Sequence, residues 1–403
     1  MSLPLSGIKI LDASRVLASP FAAYQLSLLG AEVIKVENPL TRGDPSRHGG
    51  IGRRDAVKAA MAASFLSLSA NKRSITLNLA TKKGQEIFRR LAGEADVVVE
   101  NMRTGTMDKY GLGYADLARV NPRLVYCSIT GYGQTGPKKS HPAYDPVIQA
   151  ASGMMDITGS PESAPMKSGA PVIDMSTGLV GAFAIVTALF ERAKTGKGQH
   201  LDVSMLDVSL MMMGSIATDV LTSAGEPKAT GNSYGAFLPV NRLYRTGEGM
   251  LWIAASEEHQ VQRLLKAIQR TELALDPRFA DPADRPANVA ALTAELERTF
   301  AQRTADEWEL LLNEAGVSAM RVRTVPEALN QPQLRTRDLF HTFDKVSGIG
   351  RPVTVPLLAF KMAGRHAEVR TPPPALGQHT DEVLREIGVS DADIASLRSE
   401  GIV

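Results

Sequence analysis

Cysteine is all but absent: Cys127 is the only one in 403 residues. That excludes an internal disulfide framework and a zinc site built on thiolates. The stretch around it, Leu124 to Thr130, reads as a buried strand, so Cys127 is expected to be a small core residue. Net charge is also nearly missing. With 45 basic against 43 acidic residues the balance is +2, too weak a field to imply a nucleic-acid partner, although a local cluster remains able to bind a small anion. The longest uncharged apolar run, Met175 to Phe190, is 16 residues and carries Ser, Thr and Gly. That is short for a membrane span and ordinary for a buried helix. Residues 1–7 have neither a basic segment nor an apolar stretch of signal-peptide length, so a reduced cytoplasmic protein without membrane attachment is expected. The seven histidines show no H-x-x-x-H spacing, and no metal site is expected.

What is present points to an α/β architecture of two or three domains. Strand-like runs at Ile8 to Leu11, Val33 to Val36, Ser74 to Leu79, Val97 to Val99 and Leu124 to Thr130 alternate with helical stretches at Phe21 to Leu29 and Lys83 to Ala92. Such alternation argues for a parallel sheet with helices on both faces. Two strongly apolar helical stretches follow, Leu179 to Arg192 and Val203 to Leu221. The methionine cluster Met211-Met212-Met213 in the second reads as core filler. Leu243 to Ala255 reads as two strands around the turn Thr246-Gly247-Glu248-Gly249, with helices near Glu257 to Ile268, Asn288 to Phe300 and Thr304 to Ala315. These make a smaller α+β domain. Arg351 to Arg370 turns extended again, and a last helix opens at Thr380-Asp381-Glu382. The expected division is 1–220, 226–325 and 330–403.

Gly131-Tyr132-Gly133-Gln134-Thr135-Gly136 matches the dinucleotide fingerprint G-x-G-x-x-G after a strand. Its context fails, because Pro137-Lys138-Lys139-Ser140-His141-Pro142 follows where a helix must begin. These glycines are better suited to a loop whose backbone approaches a ligand. Gly196-Lys197-Gly198-Gln199 lacks the upstream glycine and the following hydroxyl of a phosphate loop, and reads as a helix-to-strand turn. Arg15, Lys35, Arg42, Lys72, Arg73, Arg103 and Lys109 mostly lie at or just beyond strand ends, where open α/β sheets place ligands. Together they suit a polyphosphate such as that of coenzyme A; singly, each reads as a solvated surface cation. Asp174, between the turn Ser168 to Pro171 and an apolar run, can be a helix cap or a covalent nucleophile.

Several segments taken in order resemble the class III CoA-transferases, the group containing formyl-CoA transferase, carnitine CoA-transferase and α-methylacyl-CoA racemase. They are Leu5 to Asp12, Leu29 to Glu37, Asn71 to Ile75, Val99-Glu100-Asn101, Gly131 to Pro137, Tyr144-Asp145, Thr195 to Gln199 and Leu376 to Thr380. The resemblance implies a Rossmann-like large domain built from the N-terminal half and the C-terminal tail, a small domain between them, and a homodimer of interlocked chains with active sites at their interface. It places the nucleophilic aspartate on Asp174. CoA contacts fall on Val16, Leu17, Leu77, Asn78, Leu79, Ala80, Asn101, Met102, Arg103, Lys109, Tyr144 and Asp145. Two positions depart from the pattern: Asn38 stands where formyl-CoA transferase has an arginine, and Pro142 replaces a lysine. Phosphate contacts are then expected to shift, with Arg42 or Lys72 as candidates. The glycine-run loop of formyl-CoA transferase is missing, and Gly231-Asn232-Ser233-Tyr234-Gly235 is the candidate substitute.

The implied chemistry moves CoA from an acyl-CoA donor, with succinyl-CoA favoured, to a carboxylic acid through an aspartyl-CoA thioester, with no permanently bound cofactor. The positive end of the following helix is expected to keep Asp174 ionised. Arg15, Arg242 and Arg245 are the candidates for a second carboxylate on a dicarboxylic acceptor. A family racemase instead places a histidine directly before the aspartate where this chain has Tyr144-Asp145, with His141 three residues away. A non-catalytic CoA-binding protein is the alternative from another class.

Overall fold

The computed structural model describes residues 2–49, 54–234, 238–363 and 369–403. The chain divides into two compact units, one formed by 1–152, 168–218 and 335–403, the other by 153–167 and 219–334. Segment 153–167, placed by the sequence with the larger domain, thus groups with the smaller unit.

The large unit is built on six strands, β1 (Lys9–Ala13), β2 (Glu32–Glu37), β3 (Lys72–Thr76), β4 (Val97–Glu100), β5 (Val125–Thr130) and β6 (His200–Ser204). All pair in parallel, in the order β3-β2-β1-β4-β5-β6. The two-residue period of a strand sends successive side chains to opposite faces. Ile10, Val97, Val99 and Cys127 accordingly enter one core under the helices Ala18–Leu28 and Val172–Thr195. Leu11, Val98 and Tyr126 enter the other, under Lys82–Glu94 and the C-terminal helices Thr380–Glu386 and Asp391–Ser399. The chain tail is tied to this sheet by Asn78 N–H donating to the Ile402 carbonyl at 2.7 Å and Thr76 N–H donating to Thr380 Oγ1 at 2.9 Å.

The expected single helix from Val203 to Leu221 is not formed. Leu201 and Val203 belong to β6, because β5 offers it a free parallel edge, and Ser204 then caps a helix over Met205–Met212 by accepting from Asp207 N–H at 3.2 Å. A second helix starts after Met213, at Gly214. The final helix is likewise two, separated at Gly388, and within Arg351 to Arg370 only Val353–Pro356 is a strand among the described residues.

The helix Val172–Thr195 is long and apolar enough to cross a membrane by length and composition. Its inner face packs in the sheet core and carries Asp174 and Arg192 with it, Arg192 donating to Asp96 Oδ1 at 2.8 Å. Its outer face exposes Leu179, Phe183, Val186 and Phe190, spaced four, three and four residues apart as one stripe of a helix.

The small unit holds an antiparallel sheet of β7 (Ser233–Tyr234), β8 (Leu238–Arg245), β9 (Met250–Ala254) and β10 (Ser318–Arg321), in the order β10-β9-β8-β7. The helices Glu258–Ala267, Val289–Phe300 and Ala305–Glu314 close its core around Tyr244, Phe300 and Trp308.

Candidate active site

The strand order reverses direction between β1 and β4, and ligands of open parallel sheets bind beyond the carboxyl ends of strands at such a point. The segments following those two strands, through Arg15 to Leu17 and Asn101 to Thr104, do wall a cavity there of about 270 Å3. Thr130 at the end of β5 and Gly131 just after it, Lys139, His141 and Tyr144 from the next loop, and Asp174 also line it. Gly131 is required by close packing, since a Cβ there would strike the Ala143 methyl.

Asp174 is the third residue of its helix, inside the first turn, and does not cap it. The cap is Asp145, whose Oδ2 accepts from Ile173 N–H at 2.7 Å and Asp174 N–H at 2.9 Å. Asp145 is 4% exposed and is fixed by Gln149, which also donates to Ser168 Oγ at 3.0 Å. Relieved of capping, the Asp174 carboxylate faces the cavity, and among the described residues no donor stands within hydrogen-bond distance of it. Burial, together with the negative charge of Asp145, pushes the Asp174 carboxyl up to about 7. The expectation that the helix end keeps it fully ionised is therefore corrected: at 8% exposure the loss of water outweighs a helix terminus already occupied by Asp145.

A second cavity of about 400 Å3 adjoins the first, and Arg15, Pro45, Met102 and Arg103 line both. Leu77, Leu79 and Ala80 form its wall, with Asn38 and Thr41. Asn78 turns away from it, accepting from Ala80 N–H at 3.1 Å through Oδ1. Val16, Leu17, Asn101 and Tyr144 line the Asp174 cavity alone. Lys109 is exposed at the end of the short helix Thr106–Lys109 and lines neither. Asp145 lies behind Asp174 and acts on it rather than facing a ligand.

Lys72 is not available to a phosphate. It is 1% exposed, and its Nζ donates to Asp12 Oδ2 at 2.8 Å and to the Pro20 carbonyl at 2.9 Å. Lys35 is buried in the same way, 2.8 Å from Asp44 Oδ2. Arg73 is committed on the surface to Glu32, Glu382 and Glu386. A strand-end position does not distinguish a side chain that points into the core from one that points to solvent. Arg42 is exposed between Thr41 and Gly43, both of which line the larger cavity. Arg242 and Arg245 lie on β8 of the other unit, Arg242 donating to Thr293 Oγ1 at 2.8 Å. Of the candidate loop Gly231 to Gly235, Gly235 lies outside the described residues; Gly231 N–H donates to the Gly159 carbonyl at 2.7 Å.

Lys139 at the cavity was not anticipated as a ligand group, although it stands only three residues before Pro142, where the expected lysine is lost; His141, the histidine weighed for a racemase, lines the same cavity. Nor was Val16 anticipated as strained: it has φ of 71°, which for a β-branched residue costs on the order of 1–3 kcal/mol.

A switch-point crevice with a buried carboxylate, three cations on its walls (Arg15, Arg103 and Lys139) and an adjoining cavity of about 400 Å3 suits a large anionic ligand beside a nucleophile or base. The model of CoA-transferase family III matches residues 5–380, and the chain belongs to that family. It is similar to human succinyl-CoA:glutarate CoA-transferase, with 34% identity over 99% of this chain and 90% of that one. It is also similar to the acetyl-CoA:oxalate CoA-transferase of Acetobacter aceti, with 35% identity over 87% of this chain and 89% of that one. Among solved structures, a CaiB/BaiF family protein from Brucella suis superposes with a TM-score of 0.83 at 36% identity, covering 96% of this chain and all of that chain. The enzyme is a CoA-transferase.

Proposed function

We propose that this enzyme moves CoA from an acyl-CoA donor to a dicarboxylic acid by way of an aspartyl-CoA thioester on Asp174. The observation that carries the reading is Asp174 itself, a carboxylate that caps nothing and has no hydrogen-bond partner among the described residues, lining a cavity of about 270 Å3 that shares Arg15, Pro45, Met102 and Arg103 with a second of about 400 Å3. An Asp174 oxygen attacks the donor thioester carbonyl, and the C–S bond breaks to give a mixed anhydride and CoA thiolate. The thiolate attacks the aspartyl carbonyl, forming the aspartyl-CoA thioester and releasing the donor acid. The acceptor carboxylate then attacks this thioester, expelling the thiolate and forming a second anhydride. Attack of the thiolate on the acceptor acyl carbon yields the new acyl-CoA and restores the Asp174 carboxylate. Its raised pKa makes the ionised form a stronger nucleophile, at the cost of a smaller ionised fraction near neutral pH.

Arg103 and Arg15, shared by both cavities, suit the phosphates and the acyl carboxylate of CoA thioesters. Arg15 and Lys139 at the Asp174 cavity suit the distal carboxylate of a dicarboxylic acceptor. The names of both curated relatives, with glutarate and oxalate as acceptors, support that class, and the human name supports succinyl-CoA as donor. The exposed stripe Leu179, Phe183, Val186 and Phe190 supports an assembled homodimer.

The decisive experiment is intact mass spectrometry after mixing with succinyl-CoA. An adduct of CoA mass that maps to Asp174 and is removed by hydroxylamine is expected; its absence with a panel of acyl-CoA donors overturns the reading. One observation favours a second possibility: His141 lines the same cavity as Asp174, so two proton-transfer groups could flank an acidic Cα–H of a 2-methylacyl-CoA. Racemisation would appear as deuterium incorporation at Cα in D2O without any adduct.

A further inference from the structure

Val16 holds a left-handed backbone, φ 71°, in the wall of the Asp174 cavity. Contacts on all sides keep it there. Before it, Arg15 N–H donates to Asn101 Oδ1 at 2.9 Å while Asn101 Nδ2 donates to the Arg15 carbonyl at 2.7 Å. Beyond it, the Leu17 carbonyl accepts from Phe21 N–H at 2.9 Å. The Val16 N–H itself donates to Asp44 Oδ1 at 3.0 Å.

Asp44 is fixed in turn. Its Oδ1 also accepts from Ser46 N–H at 2.9 Å and from Ser46 Oγ at 2.8 Å, and its Oδ2 faces the Lys35 ammonium at 2.8 Å. Lys35 also donates to the Ser14 carbonyl at 2.9 Å, so one buried cation ties the end of β1 to the loop that carries Asp44. Burial alone would raise the Asp44 carboxyl, but Lys35 and the hydrogen bonds from Ser46 and Val16 hold it below the usual carboxylate range. It therefore stays an acceptor throughout the range in which Asp174 titrates.

We propose that Asp44 is a positioning residue for CoA transfer: by holding the Val16 N–H it keeps the Arg15 to Leu17 turn in its left-handed form, with Arg15 arranged at the Asp174 cavity before acyl-CoA arrives. A valine at this φ relaxes toward negative φ once its N–H is released, whereas a glycine occupies the same conformation without being held. The inference rests on the reading of Asp174 as the nucleophile.

The test combines Asp44→Ala with Val16→Gly and follows transfer from succinyl-CoA to glutarate. In the natural background Asp44→Ala should lower kcat/KM for succinyl-CoA about tenfold or more, and in the Val16→Gly background by less than about threefold. An equal loss in both backgrounds would mean that Asp44 does not act through Val16. Melting temperatures give a second measurement that does not depend on Asp44→Ala folding. Val16→Gly should melt at or above the natural protein and above Val16→Ala, the reverse of the usual order; a glycine variant less stable than the alanine variant overturns the proposal. A natural protein that forms no labile adduct defeats the Asp174 reading instead, which separates the two failures.

Discussion

Asp174 carries the sharpest consequences at the scale of single residues. Asp174→Ala is expected to reduce CoA transfer by about 10³-fold or more, measured as glutaryl-CoA formed from succinyl-CoA, while CoA still binds. Attack requires the ionised carboxylate, so kcat/KM should rise with pH along a limb centred near the raised value of about 7. Burial is the main cause of that position and Asp145 the lesser one, so Asp145→Asn should move the limb to lower pH. The sign for stability runs the other way from an ion-paired aspartate. A folded-state pKa of about 7 against an ordinary 3.8 means that the folded protein loses stability as pH rises between those values, and the whole cost is present above about 7. Asp174→Asn should therefore raise Tm by a few degrees at pH 8 and by little at pH 4, read by thermal melts at both. Lys72 gives the opposite pattern to a phosphate ligand. Lys72→Met strips a partner from buried Asp12 and should cost on the order of 3 kcal/mol in denaturant unfolding, with KM for acyl-CoA changed less than about twofold.

At the scale of elements, the site depends on how closely two helices approach. Gly178 lies one turn beyond Asp174, and a Cβ there would come 2.5 Å from the Ala18 carbonyl oxygen on the helix Ala18–Leu28. Gly178→Val should force these helices apart, costing about 1–3 kcal/mol. Because Asp174 and Val16 ride on the two displaced segments, kcat/KM should fall more steeply than stability. Chemical denaturation and rate measurements on the same variant decide this. The helix boundaries themselves follow from small local rules. The N–H groups of the Asp174 turn are satisfied by Asp145 from another segment, and the helix after β6 is capped by its neighbour Ser204.

At the scale of the whole molecule, the outward stripe of the helix Val172–Thr195 is the surface to test. Phe183 is 73% and Phe190 65% exposed, on an element whose opposite face carries the nucleophile. Phe183→Asp with Phe190→Asp should convert the expected dimer to a monomer in light scattering and lower transfer at least tenfold. Dissociation with full activity would separate assembly from catalysis.

Much of this was already legible in the residues: the alternation of strands and helices, the Gly131 to Gly136 stretch as a loop rather than a dinucleotide turn, and Asp174 as the residue to examine. Those features are local in sequence, because periodicity, turn chemistry and a short motif each act within a few residues. What escaped was set by contacts between segments far apart in the chain. Lys35 and Lys72 look like ligand cations until Asp44 and Asp12 are found to neutralise them in the core. Asp174 looks like a cap until Asp145, 29 residues earlier, takes that role and leaves the carboxylate to the cavity. Its protonation is set in the same way, by contacts distant in the chain. Loss of water and the nearness of a second carboxylate are properties of a packed site, so local patterns along the chain say which side chains are available for the chemistry, while the folded contacts settle which of them carry charge, and where.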